Sequence, residues 1–169
     1  LVALDTLTQR AWEVAAQVVD PEIPVLTIAD LGILRSVTGD DDALIVNLTP
    51  TYAGCPATRV IEQAVRDALA AAGVAAQVRT VLSPPWSSEW ISAAGREKLR
   101  AYGIAPPEHG SLPDGTHALH FTAPANHAPP CPHCGSRATE RLSQFGSTAC
   151  KALYRCRDCA EPFDYFKPY

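Results

Sequence analysis

Four cysteines near the end of the chain stand in two matched pairs, Cys131-Pro132-His133-Cys134 and Cys156-Arg157-Asp158-Cys159. Each C-x2-C pair has the spacing of a knuckle, a tight turn that aims two sulfurs at one point. Two facing knuckles set four thiolates at tetrahedral corners, the geometry of a structural Zn²⁺ site. Pro132 stiffens the first turn, and Gly135 frees the backbone just behind it. Cys131, Cys134, Cys156 and Cys159 are therefore the expected metal ligands. His133 would have to displace a cysteine to bind metal, so it is expected to be exposed.

Cys55 is chemically different. It sits between Gly54 and Pro56 where a helix is expected to begin. The N–H groups and macrodipole of a helix start favour an anion, so this thiol is expected to ionise more easily than a free one. Two readings stand open: a reactive thiolate or soft metal ligand, or a small buried hydrophobe. Thr49 and Thr51 could donate hydrogen bonds to an anion beside it, or simply satisfy the loop. Asp20 and Glu22 flank Pro21 in a stiff turn and could place two carboxylates near one cavity, although such residues more often cap helices or face solvent. Asp30 is equally ambiguous. Cys150 has no spacing partner and reads as a buried structural thiol. No Ser–His–Asp triad, phosphate loop or dinucleotide fingerprint is present, so no catalytic residue is assigned.

The elements that must position these residues follow from periodicity. Leu7, Ala11, Val14, Ala15 and Val18 recur at helical spacing, predicting a helix capped by Asp5 or Thr6 and ended near Val19 by Asp20-Pro21. Ile33 to Val37 and Leu44 to Leu48 read as a hairpin turning at residues 39–42. Pro56 suits a helix start, Val60, Ile61, Ala64, Val65, Ala68 and Leu69 give that helix an apolar face, and Gly73 stops it. Val74 to Leu82 is a third strand. Ser87 or Ser88 can cap a last helix to Tyr102, with Gly103 at its end. The expected fold class is α+β: a small α-β-β-α-β-α sandwich over residues 1–104, a Pro-rich linker over 105–130, and a four-cysteine zinc β-ribbon over 131–169. Thr116 to Thr122 could add a strand, and Trp86 and Trp90 anchor the last helix. The ribbon holds strands near Thr139–Phe145 and Lys151–Cys156 and an aromatic stretch at Pro162–Lys167. About forty residues bury too little apolar area alone, so metal must supply folding energy there.

Composition is that of an ordinary globule, with 47% hydrophobic and 19% charged residues and a net charge of −4. That acidity argues against a nucleic-acid partner. No apolar run is long enough to span a membrane. Six cysteines, four of them metal ligands, fit a reducing cytoplasm rather than a disulfide framework. The chain opens on Leu1 and contains no methionine, as a trimmed start would. Arg137, Lys151, Arg155 and Arg157 are expected to offset the formal −2 of a four-thiolate Zn²⁺ centre.

Four stretches, in order, resemble one family: Asp20-Pro21-Glu22-Ile23-Pro24, Asp30-Leu31-Gly32, Thr49 through Pro56, and Ser83 through Arg96. Across residues 5–107 the chain is similar to the SufT-like iron–sulfur assembly family. With its four-cysteine tail it resembles the accessory family encoded with the multicomponent phenylacetyl-CoA epoxidase of aerobic phenylacetate catabolism. The resemblance implies a non-enzymatic maturation factor and a zinc-binding tail. It also implies a transient iron or iron–sulfur cargo at Cys55, with Asp20, Glu22 and Thr51 around it. Partners would be the oxygenase or reductase subunits, or a second copy, since one thiolate is too few for a stable cluster. The alternative is a rubredoxin-like electron carrier with iron in the quartet. A thiol enzyme is disfavoured, because residues 1–104 contain no histidine to act as base.

Overall fold

A computed structural model describes residues 2–40, 43–108 and 128–169. The chain forms two compact units, Leu1–Gly95 and Arg96–Tyr169.

The first unit opens with α1 (Val2–Ala16). Ala11 and Ala15, one turn apart, are fully buried. Asp5 and Thr6 lie inside this helix rather than capping it, because the helical ladder continues back to Val2. The helix also stops short of Val19. Val18 N–H tightens onto the Ala15 carbonyl, the Val18 carbonyl accepts from Ile28, and Val19 bridges to Thr27. Competing non-local pairing thus ends the helix before the proline does.

Strands β1 (Leu34–Asp40) and β2 (Ala43–Leu48) are antiparallel, and β3 (Ala76–Thr80) lies parallel to β2, in the order β1-β2-β3. The centre of the expected turn, Asp41 and Asp42, lies outside the described residues. A parallel neighbour requires a crossover, and α2 (Ala57–Ala71) supplies it. Ala57, Ile61, Val65 and Leu69 of α2 are buried at four-residue spacing, as are alternating Leu44, Val46 and Leu48 of β2. The polar side of the sheet carries Asn47, whose amide donates to Ser36 at 3.0 Å. Gly73, at φ +69°, ends α2: its N–H reaches the Ala70 carbonyl and that of Val74 reaches Leu69, a Schellman closure.

The expected single helix from Ser87 is two elements. Ser87 caps one 3₁₀ turn, Ser88–Trp90, and Ile91 is extended. Ser92 then accepts the Gly95 N–H at 2.9 Å and begins α3 (Ala93–Ala101). Trp86 donates its indole N–H to the Leu31 carbonyl at 2.9 Å. Gly32, at φ +68°, approaches Trp90 so closely that a Cβ would lie 2.6 Å from it, which excludes any larger residue.

In the second unit, β4 (Ile104–Ala105), β5 (Thr139–Ser143), β6 (Lys151–Cys156) and β7 (Pro162–Phe166) form one sheet in the order β4-β7-β6-β5. Ile104 and Ala105, at the edge of the expected linker, therefore form a strand parallel to β7. Ala105, Cys131, Cys156 and Phe163 form one buried cluster, with Tyr154, Cys159 and Tyr165 against it, and Leu99, Ala152 and Phe166 are buried as well. The strand expected at 116–122 lies outside the described residues, as do His117 and His120.

Candidate metal centre and the Cys55 loop

The first knuckle is closed by two backbone hydrogen bonds, Gly135 N–H to the Cys131 carbonyl and Cys131 N–H to the Ser136 carbonyl, each 2.8 Å. Gly135 takes φ +76°. In the second knuckle the equivalent position, one past the second cysteine, is Ala160 at φ +65°. Cys156 N–H there meets the Glu161 carbonyl at 3.0 Å.

Together the knuckles bring all four sulfurs within 4.8 Å of one another. Cys131 and Cys159 are 3.8 Å apart, and Cys134 and Cys156 are 3.6 Å apart. A tetrahedral ion with sulfur bonds of about 2.3 Å requires sulfur–sulfur edges of about 3.8 Å. The quartet therefore fits such an ion, and its all-sulfur donor set suits zinc or iron alike. The Cys156 thiol is shifted toward ionisation. The Cys159 backbone N–H beside it outweighs burial, the Asp158 N–H helps, and its pKa falls to about 7. His133 is exposed, as expected.

The basic residues of the ribbon pair with carboxylates. Arg155 and Arg157 both grip Glu140, on separate oxygens. Arg137 pairs with Glu108 at 2.7 Å, and buried Lys151 with Asp164 at 3.5 Å. The sequence could not show these pairs because every partner lies far away along the chain. Cys150 is buried, its sulfur 3.0 Å from the Thr148 hydroxyl.

In the first unit, Thr49 and Thr51 are buried and Cys55 is half-buried. Cys55 immediately precedes Pro56, the cap residue of α2, which offers no side-chain cap. The structure reverses the expectation for its thiol. Burial pushes the pKa up; the Ala57 N–H and the Thr58 side chain pull it down, but Glu22 and Asp20 add to the rise. The helix start is present, yet desolvation and two negative neighbours outweigh it. The Cys55 thiol is therefore held above the ordinary range of a free cysteine.

The fold thus brings Asp20, Glu22 and Cys55 into one electrostatic neighbourhood. Asp20 is buried and turns one carboxylate oxygen onto the N–H groups of Glu22 and Ile23, each at 2.8 Å. The hydroxyl that reaches Cys55 belongs to Thr58, which sequence analysis missed. Its signal was its place in the first turn after Pro56. Asp30 is structural: it accepts the Thr27 N–H at 3.0 Å and the Ser92 hydroxyl at 3.3 Å. Among the described residues, only the ribbon quartet gathers three or more His, Cys, Asp or Glu donors within 4.8 Å. Cys55 with its acidic neighbours is a polarised thiol site, not a completed coordination sphere.

Residues 8–82 match the "Iron-sulfur cluster assembly protein" family, and residues 116–167 match the "PaaD zinc beta ribbon domain". The chain is 48% identical over 160 residues to an Escherichia coli (strain K12) protein named as one subunit of a "Putative 1,2-phenylacetyl-CoA epoxidase", covering 92% of this chain and 90% of that protein. It is 34% identical over 91 residues to the Bacillus subtilis (strain 168) "Fe-S protein maturation auxiliary factor YitW", covering 52% of this chain and 88% of that one. A crystal structure of a DUF59 domain from Bacillus anthracis superposes with a TM-score of 0.54 at 27% identity, covering 58% of this chain and 95% of that domain. An assembly-type α+β unit carrying a half-buried thiol, followed by a four-sulfur ribbon, and near half-identity along almost the full length place this chain in the PaaD family of phenylacetyl-CoA epoxidase subunits.

Proposed function

We propose that the chain is an accessory maturation factor of a phenylacetyl-CoA epoxidase system, assisting iron or iron–sulfur assembly through Cys55 and catalysing no reaction of its own. Kinship with the Escherichia coli protein supports the client, and kinship with the maturation factor of Bacillus subtilis supports the task. The oxygenase or reductase subunits are the natural partners.

The observation that carries this reading is the setting of Cys55. It is half-buried at the start of α2, with the negative potential of Glu22 and Asp20 reaching it. That potential favours a cation at the sulfur and disfavours an anionic substrate. Cys55 is the ligand to the cargo. Glu22 and Asp20 draw the cation in, and Thr51 and Thr58 frame the loop. One thiolate holds iron or a cluster weakly, so the remaining ligands come from the client or a second copy. Weak holding suits delivery. The ribbon quartet stays occupied by zinc and keeps the second unit folded.

The test is co-production of the epoxidase with wild-type protein or with the Cys55→Ala variant. The variant should keep its circular dichroism and its zinc, while the purified epoxidase loses iron and activity. A fully loaded, active epoxidase made with the variant would reject the assignment. Metal analysis and the visible spectrum of anaerobically purified protein separate a colourless zinc ribbon from a red, rubredoxin-like iron site.

A further inference from the structure

A cavity of about 470 Å³ opens within the second unit, remote in role from both cysteine sites. Three arginines line it, Arg96, Arg100 and Arg137, with one acidic residue, Glu108. Arg96 and Arg100 stand four residues apart on α3 and so share one helix face. Arg96 is only 5% exposed, and its Nη1 donates to the Pro107 carbonyl, which fixes the guanidinium in the wall. Arg137 engages Glu108 at 2.7 Å. Arg100 reaches Glu97 at 3.0 Å, a carboxylate outside the lining. The lining therefore carries two more positive charges than negative. Pro106, Pro107 and Pro130 supply the apolar walls.

This volume lies in the range of small-molecule sites and exceeds what a bare inorganic anion needs. Guanidinium forks match phosphate oxygens, and a phosphate dianion offers three acceptor oxygens and two charges to several forks at once, where a single carboxylate offers two oxygens and one charge. Flat apolar proline faces suit an organic body attached to that phosphate. We propose that the cavity binds an organic phosphate, with its phosphoryl oxygens toward Arg100 and Arg137 and its body against the prolines.

The experiment titrates ADP, inorganic pyrophosphate and citrate into the full-length, metal-loaded protein by calorimetry. ADP should bind one to one, more tightly than pyrophosphate or citrate, and more weakly as salt rises. Arg100 and Arg137 are exposed enough to change without loss of fold, with side chains 51% and 65% exposed. Arg100→Ala should weaken ADP about tenfold, the loss expected for one charged hydrogen bond, at unchanged zinc content. Glu108→Gln should tighten ADP, a direction that a purely structural role would not produce. Absence of saturable ADP binding, equal binding of citrate, or indifference to both substitutions overturns the proposal. The outcome is independent of what Cys55 carries.

Discussion

Cys55 illustrates how a residue's chemistry depends on neighbours that its local sequence does not name. Position alone, at a helix start, argues for an acidic thiol. The folded environment raises the pKa instead, through burial first and the Glu22 and Asp20 carboxylates after it. A raised pKa leaves less thiolate at any pH below it, so alkylation at neutral pH should be slower than for an unperturbed cysteine and should climb only as pH passes the raised value. Glu22→Gln removes one negative neighbour. It should lower the pKa and speed alkylation of Cys55 near pH 8, read by peptide mapping of zinc-loaded protein across a pH series. No acceleration would mean that Glu22 does not act on the sulfur. Ala160 is the second instructive residue. It holds φ +65° where the matching knuckle position has Gly135. An L-residue is strained in that region, so Ala160→Gly should stabilise the metal-loaded ribbon by about 0.5–1 kcal/mol after the extra chain entropy of glycine is subtracted. Urea unfolding of the two proteins measures this. Spacing exposed the glycine of the first knuckle but could not reveal the strained alanine of the second.

Elements were legible where their signal is local and strong. The terminal Gly73 of α2, the alternation in β2 and the two knuckles appear as read, and so does the apolar face of α2 except at Val60, which is exposed. The last helix of the first motif set was misjudged because two serine-led turns follow one another. Ser87 caps the 3₁₀ turn, extended Ile91 interrupts, and Ser92 starts α3. Ser92 also donates to Asp30, whose other oxygen closes the Thr27 turn. One hydroxyl thus serves a helix and a loop. Ser92→Ala should cost about 1 kcal/mol, the usual loss of an N-cap, whereas Ser87→Ala, capping a single 3₁₀ turn, should cost less. Thermal unfolding of both variants ranks them. Equal costs would show that the Asp30 and Gly95 contacts of Ser92 contribute little.

On the scale of the whole molecule, the units differ in what holds them. The first buries Leu26, Ile28, Val46, Val65 and Leu69 around its sheet. The second counts two of its four metal cysteines among its buried core and packs a third against it. Removing the ion takes away the crosslink and leaves four thiols crowded together. Structural zinc contributes on the order of 10 kcal/mol of folding free energy in small domains. A strong chelator should therefore collapse the amide signals of β5, β6 and β7 while those of β1, β2, β3 and α2 persist in two-dimensional NMR spectra. Loss of both sets together would show that the first unit depends on the metal as well. Among the described residues no helix is long and apolar enough to cross a membrane. The sequence by itself determined the α+β class, the sulfur quartet and most helix and strand positions, because knuckle spacing, capping and apolar periodicity act within a few residues. Only the tertiary structure decided the parallel pairing of β2 with β3 and of β4 with β7, the carboxylate partners of the ribbon arginines, and the polarity around Cys55. Those depend on which distant segments pack together and which charges they bury side by side, and no local pattern encodes that.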